Sequence, residues 1–95
     1  MEIGDLVRVL RGRDSGRIFL VIGHSVQRLQ LVDGDLRPFK RPKSKNPRHV
    51  EQCGTVPEEM RQRLAAGHAP SDAEVRGVIA ESTAQTEGGD ASAEG

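Results

Sequence analysis

Short stretches of apolar residues dominate the first half of the chain and predict β-strands. In residues 5–10 apolar and polar side chains alternate, which places Val7 and Val9 on the same face of a strand. Residues 17–22 form an apolar run rich in β-branched side chains. Such a run is typical of a central strand that is buried on both faces. The first half of the chain therefore predicts a β-sheet rather than helices.

More strands are expected farther along. A third strand, over residues 29–31, ends at the Asp-Gly pair of residues 33–34, a dipeptide typical of tight hairpins. A fourth strand is expected around Leu36 and Phe39, and a short fifth strand over residues 49–52. Several short strands at close spacing, with few helix signals between them, predict a small β-barrel.

The chain changes character after Cys53 and carries two helix signals. Residues 55–58 and residues 71–74 each have the arrangement of a capping box, and Gly67 ends the first helix. Apolar residues follow at helical spacing: Val56, Met60 and Leu64 in the first helix, Val75 and Ile79 in the second. Helices of about ten residues are marginal alone. We therefore expect them to dock on the barrel, to pair, or to fold with a partner.

These patterns divide the chain into three parts. A mainly β barrel over residues 1–53 is followed by two short helices over residues 54–82 and an acidic tail over residues 83–95. The tail contains no large apolar residue, so it cannot bury enough surface to offset the entropy of ordering. We expect the tail to be disordered.

The charge is unevenly distributed, although 14 basic and 14 acidic residues cancel. The first 53 residues carry a surplus of five positive charges, and the remaining residues carry a surplus of five negative charges. Residues 37–48 are the densest basic stretch and contain three prolines and no acid. Proline keeps this stretch extended and prevents a basic helix. Such density favours contact with phosphate over the alternative, a solvated charged surface.

A second candidate segment is the loop that follows the first strand. Gly12 and Gly16 supply positive φ angles at low cost, and Arg11, Arg13 and Arg17 surround them. Guanidinium groups beside a close-approaching backbone are suited to bidentate bonds with phosphate. The alternative is that the glycines only turn the chain and the arginines are solvated.

Other classes of function find little support. His24, His49 and His68 are scattered, no catalytic motif is visible, and Asp33 and Asp35 are explained by turn chemistry. We therefore expect no enzyme, no cofactor and no small-molecule substrate.

Metal and membrane classes are also unsupported. No cluster of metal ligands is visible, and Cys53, the single cysteine, is interpreted as a small, partly buried hydrophobe rather than a reactive thiol. The longest apolar run, residues 18–22, is too short for a membrane span, so a cytoplasmic protein without membrane contact is expected.

Residues 4–22, Gly-Asp-Leu-Val-Arg-Val-Leu-Arg-Gly-Arg-Asp-Ser-Gly-Arg-Ile-Phe-Leu-Val-Ile, resemble a KOW motif. That motif occurs in large-subunit ribosomal proteins and in NusG-type transcription factors. The basic residues of the segment 33–49 and the helical signal at residues 71–76 are similar to the bacterial relatives of archaeal and eukaryotic-type "fourteen-e" ribosomal proteins. Many KOW motifs have a second glycine where this chain has Ile18 and Phe19, which favours the ribosomal branch over the NusG type.

The resemblance implies an SH3-like barrel that binds RNA, in particular structured ribosomal RNA, and that lies near proteins of the large ribosomal subunit. The candidate RNA-binding residues are Arg11, Arg13, Arg17, Arg37, Lys40, Arg41, Lys43, Lys45, Arg48 and His49, with Gly12 and Gly16 shaping the loop. The alternatives are a protein-interaction module of the same fold and a NusG-type transcription-associated factor. An exposed apolar patch at the first helical stripe would favour protein binding.

Overall fold

One antiparallel sheet and two helices make up the chain. In this computed structural model, the backbone of residues 1–94 and the side chains of residues 1–83 are described. The strands are β1 (Asp5–Val9), β2 (Ile18–His24), β3 (Leu29–Val32), β4 (Lys43–Lys45) and β5 (Val50–Thr55), and the helices are α1 (Glu58–Ala65) and α2 (Asp72–Glu94). A 3-10 turn, Pro47–His49, precedes β5. The strand order is β4-β3-β2-β1-β5, with β4 and β5 as unpaired edges, so the sheet of the described residues is not closed by hydrogen bonds.

Apolar side chains are buried on both faces of the sheet because successive residues of a strand point to opposite sides. On one face, the buried residues come only from strands: Val7, Val9, Phe19, Val21, Leu29, Leu31 and Val50. No helix residue belongs to this cluster. The helices therefore contribute no buried apolar side chain to this face.

The helices cover the opposite face. Leu6, Leu20 and Val32 of the sheet form a second buried cluster with three residues that follow β5, which are Val56, Met60 and Val75. Val75 is fully buried, and Leu64, Val78 and Ile79 pack against the cluster from the side. The helices therefore dock on the sheet, one of the three arrangements expected from the sequence.

The prediction of a fourth strand around Leu36 and Phe39 is wrong. Leu36 and Phe39 lie in a loop, residues 33–42, and the strand that pairs with β3 is the basic segment Lys43–Lys45. The Asp33 carboxylate accepts hydrogen bonds from the backbone N–H groups of Asp35 (2.9 Å) and Arg37 (2.8 Å), which closes a local turn. The Asp-Gly pair thus begins a ten-residue loop rather than the expected tight hairpin.

Helix capping agrees with the sequence at one helix and differs at the other. Ser71 caps α2, since its hydroxyl accepts a hydrogen bond from the backbone N–H of Glu74 at 3.1 Å. Thr55 does not cap α1. It is the last residue of β5, and Pro57 stands at the N-cap position without a side-chain bond. Gly67 ends the first helical segment with a φ of 85°, as expected.

Helix α2 extends to Glu94, farther than the ten or so residues that the sequence predicts. The side chains of residues 84–95 lie outside the described part of the chain. The expected disordered tail, residues 83–95, falls almost entirely there and stays a prediction. The domain boundaries after residues 53 and 82 also stay predictions. Among the described residues, no helix combines the length and apolar character that crossing a membrane requires.

Candidate functional site

Two basic segments that are distant in the sequence are joined by direct contacts. Lys43 of β4 forms an ion pair with Asp14 in the loop between β1 and β2. Lys45 of the same strand donates a hydrogen bond to the backbone carbonyl oxygen of Arg11 at 3.1 Å. The loop therefore rests on the edge strand β4. We call the cations of this loop and of residues 37–49 the basic surface.

The 3-10 turn also contacts this loop. The backbone N–H of Leu10 donates to the carbonyl oxygen of His49 at 2.7 Å, and Asn46 caps the turn by accepting from the N–H of Arg48 at 2.9 Å. Leu10 directly precedes the loop, so this bond brings Arg48 and His49 to its first residues. The loop, β4 and the 3-10 turn therefore form one continuous surface.

Asp14 is the acidic centre of this surface. Its pKa is lowered from its ordinary value, mainly because Lys43 donates a hydrogen bond to its carboxylate, and partial burial opposes the effect. The charges of Lys43, Arg17 and Arg37 lower the pKa of Asp14 further. Cations from both basic segments thus lie close enough to affect one carboxylate.

The two loop glycines are required by the backbone. Gly12 has a φ of 93° and Gly16 a φ of 88°, both in the left-handed region that residues with a Cβ rarely adopt. The N–H of Gly16 donates to the carbonyl oxygen of Val9 at 2.7 Å, which closes the loop at the end of β1. Their loop-shaping role, predicted from the sequence, has a direct structural basis.

The predicted cations fall into two groups according to their partners. Lys43 and Lys45 are half-buried and hold the loop, and Arg17 forms an ion pair with Asp33 at 2.9 Å. His49 is half-buried. The other predicted cations are exposed and have neither an ion pair nor a side-chain hydrogen bond among the described residues: Arg11, Arg13, Arg37, Lys40, Arg41 and Arg48. These six are available to an anionic ligand.

Arg28 is a further cation that sequence reasoning missed. It is exposed and lies next to Leu29, the residue that pairs with Lys45 across β3 and β4. The described residues offer its side chain no ion pair or hydrogen bond. It stands alone in the sequence, at a turn, so only the strand register shows that it lies near the basic surface.

Asp33 joins Arg17 and Arg37, two further residues of the basic surface. It is 6% exposed, and it binds the backbone of Arg37 and the guanidinium of Arg17 with its two carboxylate oxygens. Sequence reasoning assigned Asp33 to turn formation, which is correct, but the ion pair with Arg17 was not foreseen. A tertiary contact of this kind has no local sequence signal.

The apolar stripe that would have favoured protein binding is not exposed. Val56 and Met60 are 4% and 8% exposed, and Leu64 packs against the same buried cluster.

Cys53 is half-buried, and burial raises the pKa of its thiol, which fits a packing role better than a reactive one.

Among the described residues, no group of three or more His, Cys, Asp or Glu side chains is arranged so that it could hold a metal ion.

No protein-family model matches the chain, and no curated protein matches it. The basic surface is therefore the feature of the molecule that indicates a function.

Proposed function

We propose that the protein is a non-catalytic RNA-binding protein with an SH3-like KOW barrel, which binds structured, ribosomal RNA in the cytoplasm through the basic surface. The observation that carries this proposal is the contact between the two basic segments at Asp14, Lys43 and Lys45. Six further cations of these two segments are exposed and have no ion pair or side-chain hydrogen bond among the described residues. Phosphate backbones are the ligands that such a density of Arg and Lys attracts most strongly.

The link between the two edge strands supports a barrel. Neighbouring strands lie ~4.8 Å apart, so the outer strands of a flat five-stranded sheet would be ~19 Å apart. Residues 46–49 alone connect β4 to β5, and three of them form a 3-10 turn. Such a link spans only roughly 10–13 Å. The sheet must therefore curl until its edges approach each other.

Composition favours structured RNA over single strands. Only 2% of the residues are aromatic, and Phe19, one of the two phenylalanines, is buried in the core. Aromatic platforms that stack unpaired bases are therefore absent from the described surface apart from the half-buried Phe39. Contacts from exposed arginines and lysines position a phosphate backbone and carry little sequence information.

The salt dependence of RNA binding tests this proposal. The double variant Arg13→Gln, Arg41→Gln removes two unpaired cations, one from each basic segment, without breaking an ion pair of the fold. If each contacts a phosphate, the slope of the logarithm of affinity against the logarithm of salt concentration becomes less negative by about 1.4 to 1.8. Fluorescence anisotropy with ribosomal RNA fragments between 50 and 200 mM salt measures this slope.

The matched control changes the charge equally on the helical part of the chain. Gln62→Glu with His68→Glu also lowers the net charge by two at pH 7.5, and both residues are exposed. The control keeps the wild-type slope if the basic surface is the contact. Equal slopes for all three proteins, with circular dichroism showing that each is folded, would contradict the site. Absence of RNA binding by the wild type would contradict the function.

A further inference from the structure

A cleft of about 440 Å³ lies beside the basic surface, between the sheet and α2. Three arginines are among the residues that line it: Arg8, Arg17 and Arg76. Its apolar wall includes Ile79 and Ala80 of α2. The volume falls in the range of about 300–1,000 Å³ that is usual for small-ligand pockets. Cations beside an apolar wall are suited to a ligand that carries both a negative charge and a flat apolar part.

Each guanidinium bonds to one partner, which leaves some of its N–H donors free for a ligand. Arg17 binds Asp33 at 2.9 Å, and Arg76 donates to the carbonyl oxygen of Gly34 at 2.5 Å. Arg8 binds Glu51 of the neighbouring strand β5 at 3.4 Å. A guanidinium carries five N–H donors in a fixed plane, so one such bond orients the group without exhausting it. The arginines are therefore arranged before a ligand arrives.

Asp35 adds an acceptor to the same cleft. Its carboxylate is exposed and has no hydrogen-bond or ion-pair partner among the described residues. A site that binds only a simple anion gains nothing from a carboxylate, which repels it. A nucleotide, in contrast, carries hydroxyl and amine donors as well as a phosphate. The mixture of donors, one acceptor and an apolar wall therefore matches a nucleotide better than an inorganic anion.

We propose that this cleft binds a single nucleotide that is turned out of the RNA helix, with its phosphate on the arginines and its base against α2. This inference rests on the proposed function, because it assumes that RNA lies on the adjoining basic surface. Arg17 belongs to both places, so a strand that follows the surface reaches the cleft directly. Paired bases within a duplex cannot enter a cleft of this size. The protein then recognises a helix that carries an unpaired nucleotide.

The inference is tested with five RNA hairpins. Four carry one unpaired nucleotide, each with a different base, and the fifth is fully paired. Fluorescence anisotropy measures the affinity of each for the wild type. Stacking and phosphate contacts of one nucleotide lead us to expect at least one bulged hairpin to bind about tenfold more tightly than the paired one. Ala80→Met fills the cleft without changing the charge, so it abolishes this preference. Ala65→Met, an exposed site on α1 outside the cleft, leaves it intact.

The outcomes separate the two proposals. A preference that Ala80→Met removes and Ala65→Met retains supports the cleft. Equal affinity for all hairpins, or a preference that both variants keep or both lose, overturns the cleft and leaves RNA binding by the basic surface in place. Failure of the wild type to bind any hairpin overturns the proposed function itself. Thermal unfolding followed by circular dichroism verifies that both variants are folded.

Discussion

Two aspartates each bind one cation of the basic surface that is distant from them in the sequence. Asp14 binds Lys43, 29 positions away, and Asp33 binds Arg17, 16 positions away. The sequence places Asp14 between Arg13 and Arg17, which suggests a local partner. The observed partner is instead a lysine of the edge strand β4. Sequence reasoning found both basic segments, including Lys43 and Lys45, but not the contacts by which these lysines join them.

The pH dependence of stability tests the role of Asp14. Because the pKa of Asp14 is lowered in the folded protein, the ion pair contributes fully above the unfolded-state pKa of about 4 and is lost as the pH falls through the folded-state value. We expect Asp14→Asn to lower the free energy of unfolding by about 1 kcal/mol at pH 7. The difference from the wild type should disappear near pH 2.

Urea denaturation at a series of pH values measures this difference. Asp35→Asn is the control, since the carboxylate of Asp35 is exposed and has no partner among the described residues. It should leave the stability within about 0.5 kcal/mol of the wild type. A difference between Asp14→Asn and the wild type that is independent of pH would mean that the ion pair does not stabilise the fold.

At the scale of elements, the sequence predicts four of the five strands and the beginnings of both helices close to where they lie, because apolar patterning marks most of them. It fails at residues 33–42. Leu36 and Phe39 have strand-like side chains, but Asp33 closes a turn and the backbone N–H of Phe39 donates to the carboxylate of Asp72 at 2.8 Å. Contact with α2 thus fixes this loop, and such contacts do not follow from local propensity.

The packing of this loop on α2 predicts a strong effect of a small substitution. Gly34 has a φ of 77°. A Cβ there would collide with the carbonyl oxygen of Asp72. It would also lie 3.0 Å from the Cγ atom of Arg76 and 3.2 Å from the backbone N of Arg76. Gly34→Ala therefore combines backbone strain with a clash against backbone atoms. We expect it to lower the free energy of unfolding by about 3 kcal/mol or more.

Gly16→Ala is the matched control for this prediction. Its φ of 88° imposes the same backbone strain, but a Cβ there meets nothing within 4 Å. Its expected cost is about 1–2 kcal/mol. Chemical denaturation of both variants isolates the clash as the difference between them. Equal costs would show that the loop does not pack on the first turn of α2.

For the whole molecule, the zero net charge is a cancellation between a basic first half and an acidic second half of the chain. The cations belong mainly to the loop after β1 and to the segment around β4, whereas Glu58, Glu59 and Glu81 are exposed on the helices. The helices pack on the sheet through the second buried cluster, so the acidic part of the chain is attached to the sheet by a shared core. The sequence shows the charge division, but the shared core depends on packing that periodicity alone does not determine.

This shared core predicts that the sheet and the helices unfold together. Val75 of α2 is fully buried against Leu6 and Leu20 of the sheet. Val75→Ala should lower the free energy of unfolding by about 2 kcal/mol, because it removes buried methyl groups and leaves a cavity. Urea unfolding followed by helical circular dichroism and by the amide signals of β2 should give one transition, shifted equally for both probes. Val26→Ala, at a position that is 95% exposed, should leave that transition within about 0.5 kcal/mol of the wild type. If Val75→Ala shifts the helical signal while the β2 amides keep their wild-type midpoint, the helices form a separate unit and the first 53 residues fold without them.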